Sequence, residues 1–575
     1  MIREEIKKLI EKSIKELQKD KKLPKFDIPE IKIEHPEEKV HGDYSTNVAM
    51  VIAKLVRKNP IEIAKLINWK LEIGNWKFLN KIEAVEPGFI NFFLSNSVLT
   101  KELKIILKEK EKYGSSKVGK GKTVIIDYSS PNIAKPFGIG HLRSTIIGQA
   151  LYNIYKFLGW KCIGDNHLGD WGTQFGKLIV AIKKWRMKDF SVRELENLYV
   201  KFHKEAEKNP KLEEEARREF KNLEKGEKTA RKTWKKCVEI SLKEFDKVYK
   251  LIGIKIDYAL GESFYQGMFE AVVQETIKKE IALKSQGALV IKYPKDKLPP
   301  AMLLKSDGAT TYLTRDLATV KYRLKKWKPD LIIYEVGADQ KLHLKQLFEA
   351  VELLGWAKRT EFFHVAHGLY RTKTGKFSTR KGKTIHLEEV LKEAIEKTRE
   401  IIEKSETGQE LSKEEKEKIA KIVGIGAVKY NDLFQHYSKD IIFDWDKILN
   451  LKGNSAPYLQ YTFARCQSVL KKAKLETEPE KVEVLTFNKE EKDILREIYK
   501  FPEIVKEAAD RFSSNLICNF IFDLAQKYNL FYNLHSIIKA QPAELKIFRL
   551  TITACVAQVL KNTLNLIGIS APEKM

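Results

Sequence analysis

TVIIDYSSPNIAKPFGIGH, residues Thr123–His141, is the stretch on which the reading of this 575-residue chain turns. Val124, Ile125 and Ile126 read as a buried strand, and Asp127, Ser129, Ser130, Pro131 and Asn132 are turn and loop formers. Gly138, Ile139, Gly140 and His141 then open a helical run from Leu142 to Leu158. A strand, a glycine-containing loop and a helix start make an anion site, because the free N–H groups and the helix dipole both favour phosphate. Glycines let a nucleotide approach the backbone closely. Lys135 and His141 add positive charge or donors toward a triphosphate.

Outward from this stretch, apolar strand runs alternate with helices from about 120 to 395, with Leu331 to Val336 as a second clear strand. Such alternation predicts a Rossmann-like, HUP-type α/β domain with a parallel sheet. A Lys- and Glu-dense stretch at about 185–250 predicts a helical insertion. Residues 1 to about 115 mix helix with a strand-like piece, Gly88 to Phe93, as in a small α+β domain. Beyond about 410 nearly everything is helical, including long segments at Ile494 to Phe512 and Cys518 to Leu534, which predicts an all-α bundle. The expected domains are 1–117, 118–400 and 401–575, with the run Glu403 to Lys421 joining the last two.

Composition narrows the function. Lys and Arg total 105 against 78 Asp and Glu, a formal net charge of +27. A polyanionic partner fits that excess, since basic surface binds phosphate backbone by counterion release; a lysine-rich genome gives the same number. The five cysteines form no CxxC pair. No zinc site and no disulfide framework are expected, and the compartment expected is a reducing cytoplasm. No apolar run is long enough for a membrane span. The first helix, with Ile6, Leu9, Ile10, Ile14 and Leu17 at helical spacing, is amphipathic rather than a signal peptide.

Ser130 to Thr145, SPNIAKPFGIGHLRST, resembles the HIGH segment of class I aminoacyl-tRNA synthetases in the form found in arginyl-tRNA synthetases. Asn166 to Gly176, NHLGDWGTQFG, resembles the same family. One position departs: Gly138 stands where the family usually has the first histidine. The resemblance implies ATP-dependent attachment of L-arginine to tRNA(Arg) through an arginyl-adenylate, with Mg²⁺ on the phosphates and bound tRNA required for activation. A monomer is expected. Two rivals stay open: a synthetase for another amino acid, and a tRNA-binding paralogue without catalysis.

The resemblance also implies site residues. A guanidinium needs a planar carboxylate partner. Asp127, Tyr312, Asp316 and Gln340 fall in segments resembling the arginine-binding parts of the family, with Asn132 at the α-amino or carboxylate end. Tyr312 and Asp316 are four apart, so they share a helix face; the bland alternative is that Asp316 and Arg315 are an ordinary surface charge pair. Gly375 to Gly382 resembles a degenerate KMSKS loop, with Thr379 at the second lysine position; a solvated basic loop is the alternative. Lys135, His141 and Lys376 are the expected catalytic residues, and Gly138, Gly140, His141, His343, Phe377 and Ser378 the expected ATP contacts. For tRNA, Tyr458, Tyr461 and Arg465 lie in a stretch resembling the DALR anticodon-binding signature, where aromatic rings stack on unpaired bases or serve as core. Met575 and Asn47, the latter in His41 to Asn47 (HGDYSTN), complete the expected tRNA contacts.

Overall fold

A computed structural model describes residues 2–74, 76–294, 297–372, 375–376, 386–473 and 486–575, with 372, 375, 376, 406 and 407 described by backbone alone. The expected ATP contacts Phe377 and Ser378, together with Thr379, lie outside the described residues. The chain forms two compact units. One comprises Met1–Gly114, Arg465–Ile504 and Phe522–Asn562, and the other Ser115–Ala464, Val505–Ile521 and Thr563–Met575.

In the first unit, helix α1 (Ile2–Lys19) buries Ile6, Ile10, Ile14 and Leu17. A three-stranded antiparallel sheet follows, from β1 (Tyr44–Thr46), β2 (Leu79–Val85) and β3 (Phe89–Leu94), in the order β1-β3-β2. Helices α2 (Val48–Val56) and α3 (Pro60–Glu72) lie between β1 and β2, and α4 (Asn96–Glu109) follows β3.

The second unit is built on a parallel sheet. Strands β4 (Thr123–Asp127), β5 (Lys161–Asp165), β9 (Leu331–Gly337) and β10 (Glu361–His367) stand in the order β10-β9-β4-β5, all parallel. β4 is central, and its Val124, Ile125 and Ile126 are fully buried, as an apolar run covered on both faces requires. Helix α5 (Ile139–Phe157) carries the chain from β4 to β5. The chain then returns to the other side of β4, so the order reverses between β4 and β9. Open α/β sheets bind ligands outside the carboxyl ends of strands at such a switch point. Here those ends are Asp127 and Gly337.

Between β5 and β9 run α6 (Thr173–Lys184) and the helices α7 (Val192–Lys208), α8 (Lys211–Glu224) and α9 (Lys228–Ile252), which occupy the span expected for a helical insertion. After α10 (Phe269–Lys278) comes a small antiparallel sheet that the sequence did not announce: β6 (Ala282–Ser285), β7 (Ala288–Ile291) and β8 (Ala301–Leu304). Four-residue strands carry too little periodicity to be read. Helices α11 (Tyr312–Trp327) and α12 (Lys341–Leu353) flank β9. Their Leu317, Leu347 and Val351 join Ile125, Ile163 and Ile332 in one core.

Two sequence expectations change. Glu403 to Lys421 is not a connecting run: α13 (Leu387–Lys404) and α15 (Lys413–Leu433) pack on each other around the short α14 (Glu406–Gln409). Ser412 caps α15 through Glu415 N–H, which ends the turn. The helix expected over Ile494 to Phe512 is two, α18 (Lys489–Ile498) and α19 (Phe501–Asp510). Pro502 in the first turn of α19 lacks an N–H and cannot continue α18. The remaining helices are α16 (Trp445–Ile448), α17 (Ala456–Ala473), α20 (Asn515–Leu534) and α21 (Ala543–Leu566). Short strands β11 (Tyr370–Thr372), β12 (Gly375–Lys376) and β13 (Ile441–Ile442) form a third small sheet.

Candidate active site

The loop between β4 and α5 is held in a shape that its own residues disfavour. Ser129, Ser130 and Ala134 all have positive φ, at 76°, 43° and 63°. Such backbone persists only where the surroundings over-determine it, and they do so here. Ser129 N–H donates to Ser144 Oγ at 2.9 Å, and Ser130 N–H donates to Asn166 Oδ1 at 2.9 Å. Asn166 Nδ2 also donates to the Tyr249 hydroxyl at 3.0 Å, which contacts Ser129 Oγ at 2.8 Å. Ala134 N–H donates to Ser241 Oγ at 2.9 Å. Asn132 forms a parallel bridge with Gly169, where any Cβ would come within 2.3 Å of Asn132 Oδ1. The NHLGDWG motif therefore braces the SPNIAKP motif.

At the start of α5, Gly138 N–H donates to His141 Nδ1 at 3.2 Å. Nδ1 is then the acceptor, so the ring proton sits on Nε2. Burial, with Lys135 adding to it, pushes the His141 pKa down to about 4, so the ring is a neutral donor at pH 7. Nothing lies within 4 Å of a Cβ placed on Gly140, which leaves the first turn of α5 open to a ligand. Lys135 is exposed, with Nζ 5.8 Å from the Tyr199 ring centre. Gly138 is paired by an antiparallel bridge with His386, at the start of α13. Lys376 lies on β12, whose backbone pairs with Arg371 of β11.

Asp127 does hold a guanidinium, but it is that of Arg323 in α11. Arg323 Nη2 donates to Asp127 Oδ2 at 2.7 Å, and Nε donates to Asp165 Oδ2 at 2.9 Å. All three side chains are buried. The other Asp127 oxygen accepts from Ser130 Oγ at 3.1 Å, so both oxygens are engaged. Burial raises the pKa of Asp165, and the Arg323 charge opposes that rise.

The carboxylate left in the cleft is Asp316. Its Oδ2 meets His343 Nε2 at 2.5 Å, and its Oδ1 lies 3.9 Å from His167 Nε2. Arg315 pairs with Glu262, at 2.6 Å from Nη1 to Oε2, and not with Asp316. His343, expected among the ATP contacts, is thus bonded to a residue expected at arginine. Tyr312, one turn before Asp316, is 69% exposed, with the Arg315 guanidinium 5.3 Å from its ring. Gln340 is exposed beyond the end of β9. Neither Tyr249 nor Arg323 stands out in the sequence as a site residue, and Asn166 and His167 do so only as the opening of the NHLGDWGTQFG motif. Asp127 and Asp165 carry the one available signal: each ends a parallel strand, and two adjacent buried carboxylates demand a cation.

The residues expected to meet tRNA lie apart from this cleft in sequence. Tyr461 on α17 is 40% exposed and Tyr458 is half-buried. Arg465 Nη1 donates to Asn529 Oδ1 at 2.5 Å, and its guanidinium lies 4.7 Å from the Tyr532 ring centre. Met575 packs on a cluster of Ile402, Ile419, Ala420 and Val423. Asn47 is half-buried just before α2. Among the described residues, no group of three His, Cys, Asp or Glu is arranged to hold a metal, and no helix is long and apolar enough to cross a membrane.

A strand–loop–helix cradle at the switch point of a parallel sheet, followed by a helical region, is the architecture of a class I tRNA synthetase. The family model for the class I (R) tRNA synthetase catalytic domain matches residues 102–445, that for the arginyl-tRNA synthetase N-terminal domain matches 4–94, and that for the DALR anticodon-binding domain matches 459–575. An arginine–tRNA ligase of Clostridium botulinum (strain Langeland) is 44% identical over 554 residues, covering 96% of this chain and 97% of that protein. One of Clostridium acetobutylicum is 42% identical, covering 94% and 96%. Among solved structures, the arginyl-tRNA synthetase of Plasmodium falciparum superposes with a TM-score of 0.85 at 26% identity, covering 100% of this chain and 99% of that one. That of Thermus thermophilus gives the same TM-score at 22% identity over the full length of both, which speaks to the fold alone. The chain belongs to the arginyl-tRNA synthetase family.

Proposed function

We propose that the chain joins L-arginine to tRNA(Arg) at the expense of ATP, and that Asp316 receives the arginine guanidinium. The observation that carries this reading is the partly covered Asp316 carboxylate on α11, near the switch point of the sheet, in a chain of this family. Tyr312 and Gln340 flank the guanidinium, and Asn132 takes the α-amino or carboxylate end. Asp127, committed to Arg323, forms the base of the seat.

The ATP phosphates, with their Mg²⁺, lie on the first turn of α5, over Gly138 and Gly140. His141 donates from Nε2, and Lys135 and Lys376 supply charge to the departing pyrophosphate. Phe377 and Ser378 belong to the same proposal. An oxygen of the arginine carboxylate attacks the α-phosphorus, the bond to the bridging oxygen breaks, and pyrophosphate leaves. The 2′-hydroxyl of the terminal adenosine then attacks the adenylate carbonyl and AMP leaves. Catalysis is positioning and charge stabilisation, with no protein nucleophile. Residues 1–117, 118–400 and 401–575 divide the work between the tRNA body, the chemistry and the anticodon, with Asn47, Tyr458, Tyr461, Arg465 and Met575 as tRNA contacts. A cytoplasmic monomer is part of the proposal.

The test is ATP–pyrophosphate exchange and tRNA charging with arginine, lysine and cysteine, with and without tRNA. Exchange specific to arginine in the presence of tRNA is expected; its absence overturns the reading. Asp316→Asn is expected to raise the arginine KM by roughly 10- to 100-fold, the worth of a charged hydrogen bond, with the ATP KM nearly unchanged. Equal effects on both constants would remove Asp316 from the guanidinium seat.

A further inference from the structure

The Asp316 carboxylate already has a histidine partner. His343 Nε2 lies 2.5 Å from Oδ2, one of the two oxygens that a bidentate guanidinium uses. Both side chains are about three-quarters covered, 27% and 25% exposed. Burial on its own lowers the His343 pKa, but the hydrogen bond and the charge of Asp316 outweigh it, and the net direction is upward from 6.5. The other groups around the carboxylate are His167, 3.9 Å from Oδ1 in the loop after β5, and the Arg315–Glu262 ion pair. Asp339 and Lys341 flank the start of α12 on the His343 side. Among these described groups, only His343 is within hydrogen-bond distance of Asp316.

We propose that His343 is a positioning residue that holds the cation seat on Asp316 in the empty pocket, and that arginine binds by exchanging its guanidinium for that imidazolium, with one proton passing to solvent. The inference rests on the reading that Asp316 receives the guanidinium. A fork-shaped ligand needs both carboxylate oxygens, and His343 occupies one of them. Two cations on one carboxylate repel each other, so His343 gives up its proton when the guanidinium arrives. Until then it neutralises Asp316 and keeps the carboxylate aimed into the cleft. The sign follows. Below the His343 pKa of the empty enzyme, binding must expel a proton and is weakened. Above it there is no proton to expel, and affinity is at its plateau.

Arginine titrations by calorimetry, in two buffers of different ionisation enthalpy from pH 6 to 9, measure the protons released. Proton release is expected at the acid end of the range and is expected to fade toward pH 9, with the Kd falling as the pH rises. His343→Gln and His343→Asn keep a neutral donor, and both are expected to release no proton and to bind with a pH-independent Kd. Arginine binding without proton release in the unaltered enzyme would overturn the inference alone. So would proton release that persists in both variants, which would assign it to another group such as His167. No arginine binding at any pH would overturn the pocket assignment as well.

Discussion

At the residue scale the site is defined by which ionisable groups are already committed. Asp127 and Asp165 are spent on Arg323, while Asp316 meets His343 at one oxygen and has His167 3.9 Å from the other. His141 is committed in another sense: its Nδ1 accepts a backbone N–H and its ring is neutral. This has a consequence for acid stability. The folded pKa, about 4, lies below the ordinary 6.5, so the fold prefers the uncharged ring. Its contribution is complete above pH 6.5 and is lost as the pH falls through about 4. At about 1.4 kcal/mol per pKa unit, up to about 3 kcal/mol is involved. His141→Gln is expected to lose less stability than the unaltered protein between pH 7 and pH 4.5, as read by urea unfolding at each pH. An equal loss would show that the ring titrates freely.

At the element scale the start of α5 is anchored to the strand that leads toward Lys376. Arg143 in α5 is buried, donating from Nε to Asp432 Oδ1 at 3.1 Å and from Nη1 to the Lys439 carbonyl at 2.5 Å. Asp432, in α15, accepts at its other oxygen from the Tyr370 hydroxyl of β11 at 2.7 Å. Beside them His367 Nδ1 meets Glu335 Oε1 at 2.9 Å, and the Glu335 carbonyl accepts from Ser144 Oγ. Helix α5, strands β9 to β11 and helix α15 thus share one buried polar network, which fixes β11 relative to His141. Tyr370→Phe leaves a buried carboxylate oxygen without its donor, at a cost of about 1–3 kcal/mol. It is expected to lower that much of the unfolding free energy and to reduce kcat for exchange severalfold with the arginine KM unchanged. A rise in the arginine KM with kcat intact would show that β11 serves the amino-acid pocket instead.

At the scale of the whole molecule, the N-terminal region is part of a compact unit with helices of the C-terminal region. The motif His41 to Asn47 takes part in this. Asp43 accepts from Leu94 N–H at 2.8 Å and pairs with Arg496 of α18 at 2.8 Å. The Tyr44 hydroxyl donates to Glu503 of α19 at 2.9 Å. Glu503 also pairs with Arg3 Nε at 2.9 Å and with His35 Nε2 at 3.1 Å. These partners hold the buried Glu503 carboxyl below the usual carboxylate range against the opposing pull of burial. Glu503→Ala removes the carboxylate shared by Arg3, His35 and Tyr44 and is expected to destabilise this unit by about 3 kcal/mol, read by denaturant unfolding. With that loss, the tRNA KM is expected to rise while equilibrium ATP binding stays constant. Unchanged stability would show that the cluster contributes no more than an exposed ion pair.

Local pattern alone determined a good part of this protein. β4, Thr123–Asp127, contains the residues read as a strand, Val124 to Ile126, because a run of β-formers ending in turn residues admits little else. The opening of α5 at Gly138 to Gly140 and the helical span from 192 to 252 were equally legible, since caps and 3.6-residue periodicity are short-range signals. The strands β6 to β8 and the break at Pro502 were harder, being too short or too local to stand against a longer apolar period. What the tertiary structure alone decided is which charges meet. Asp127 and Asp316 look alike in sequence, each set among ligand-binding motifs. The parallel register brings Asp165 beside Asp127 and forces Arg323 between them, while the packing of α12 beside α11 leaves Asp316 to His343. A carboxylate's partner is set by distances across 27 to 196 residues of chain, and no window of sequence contains them.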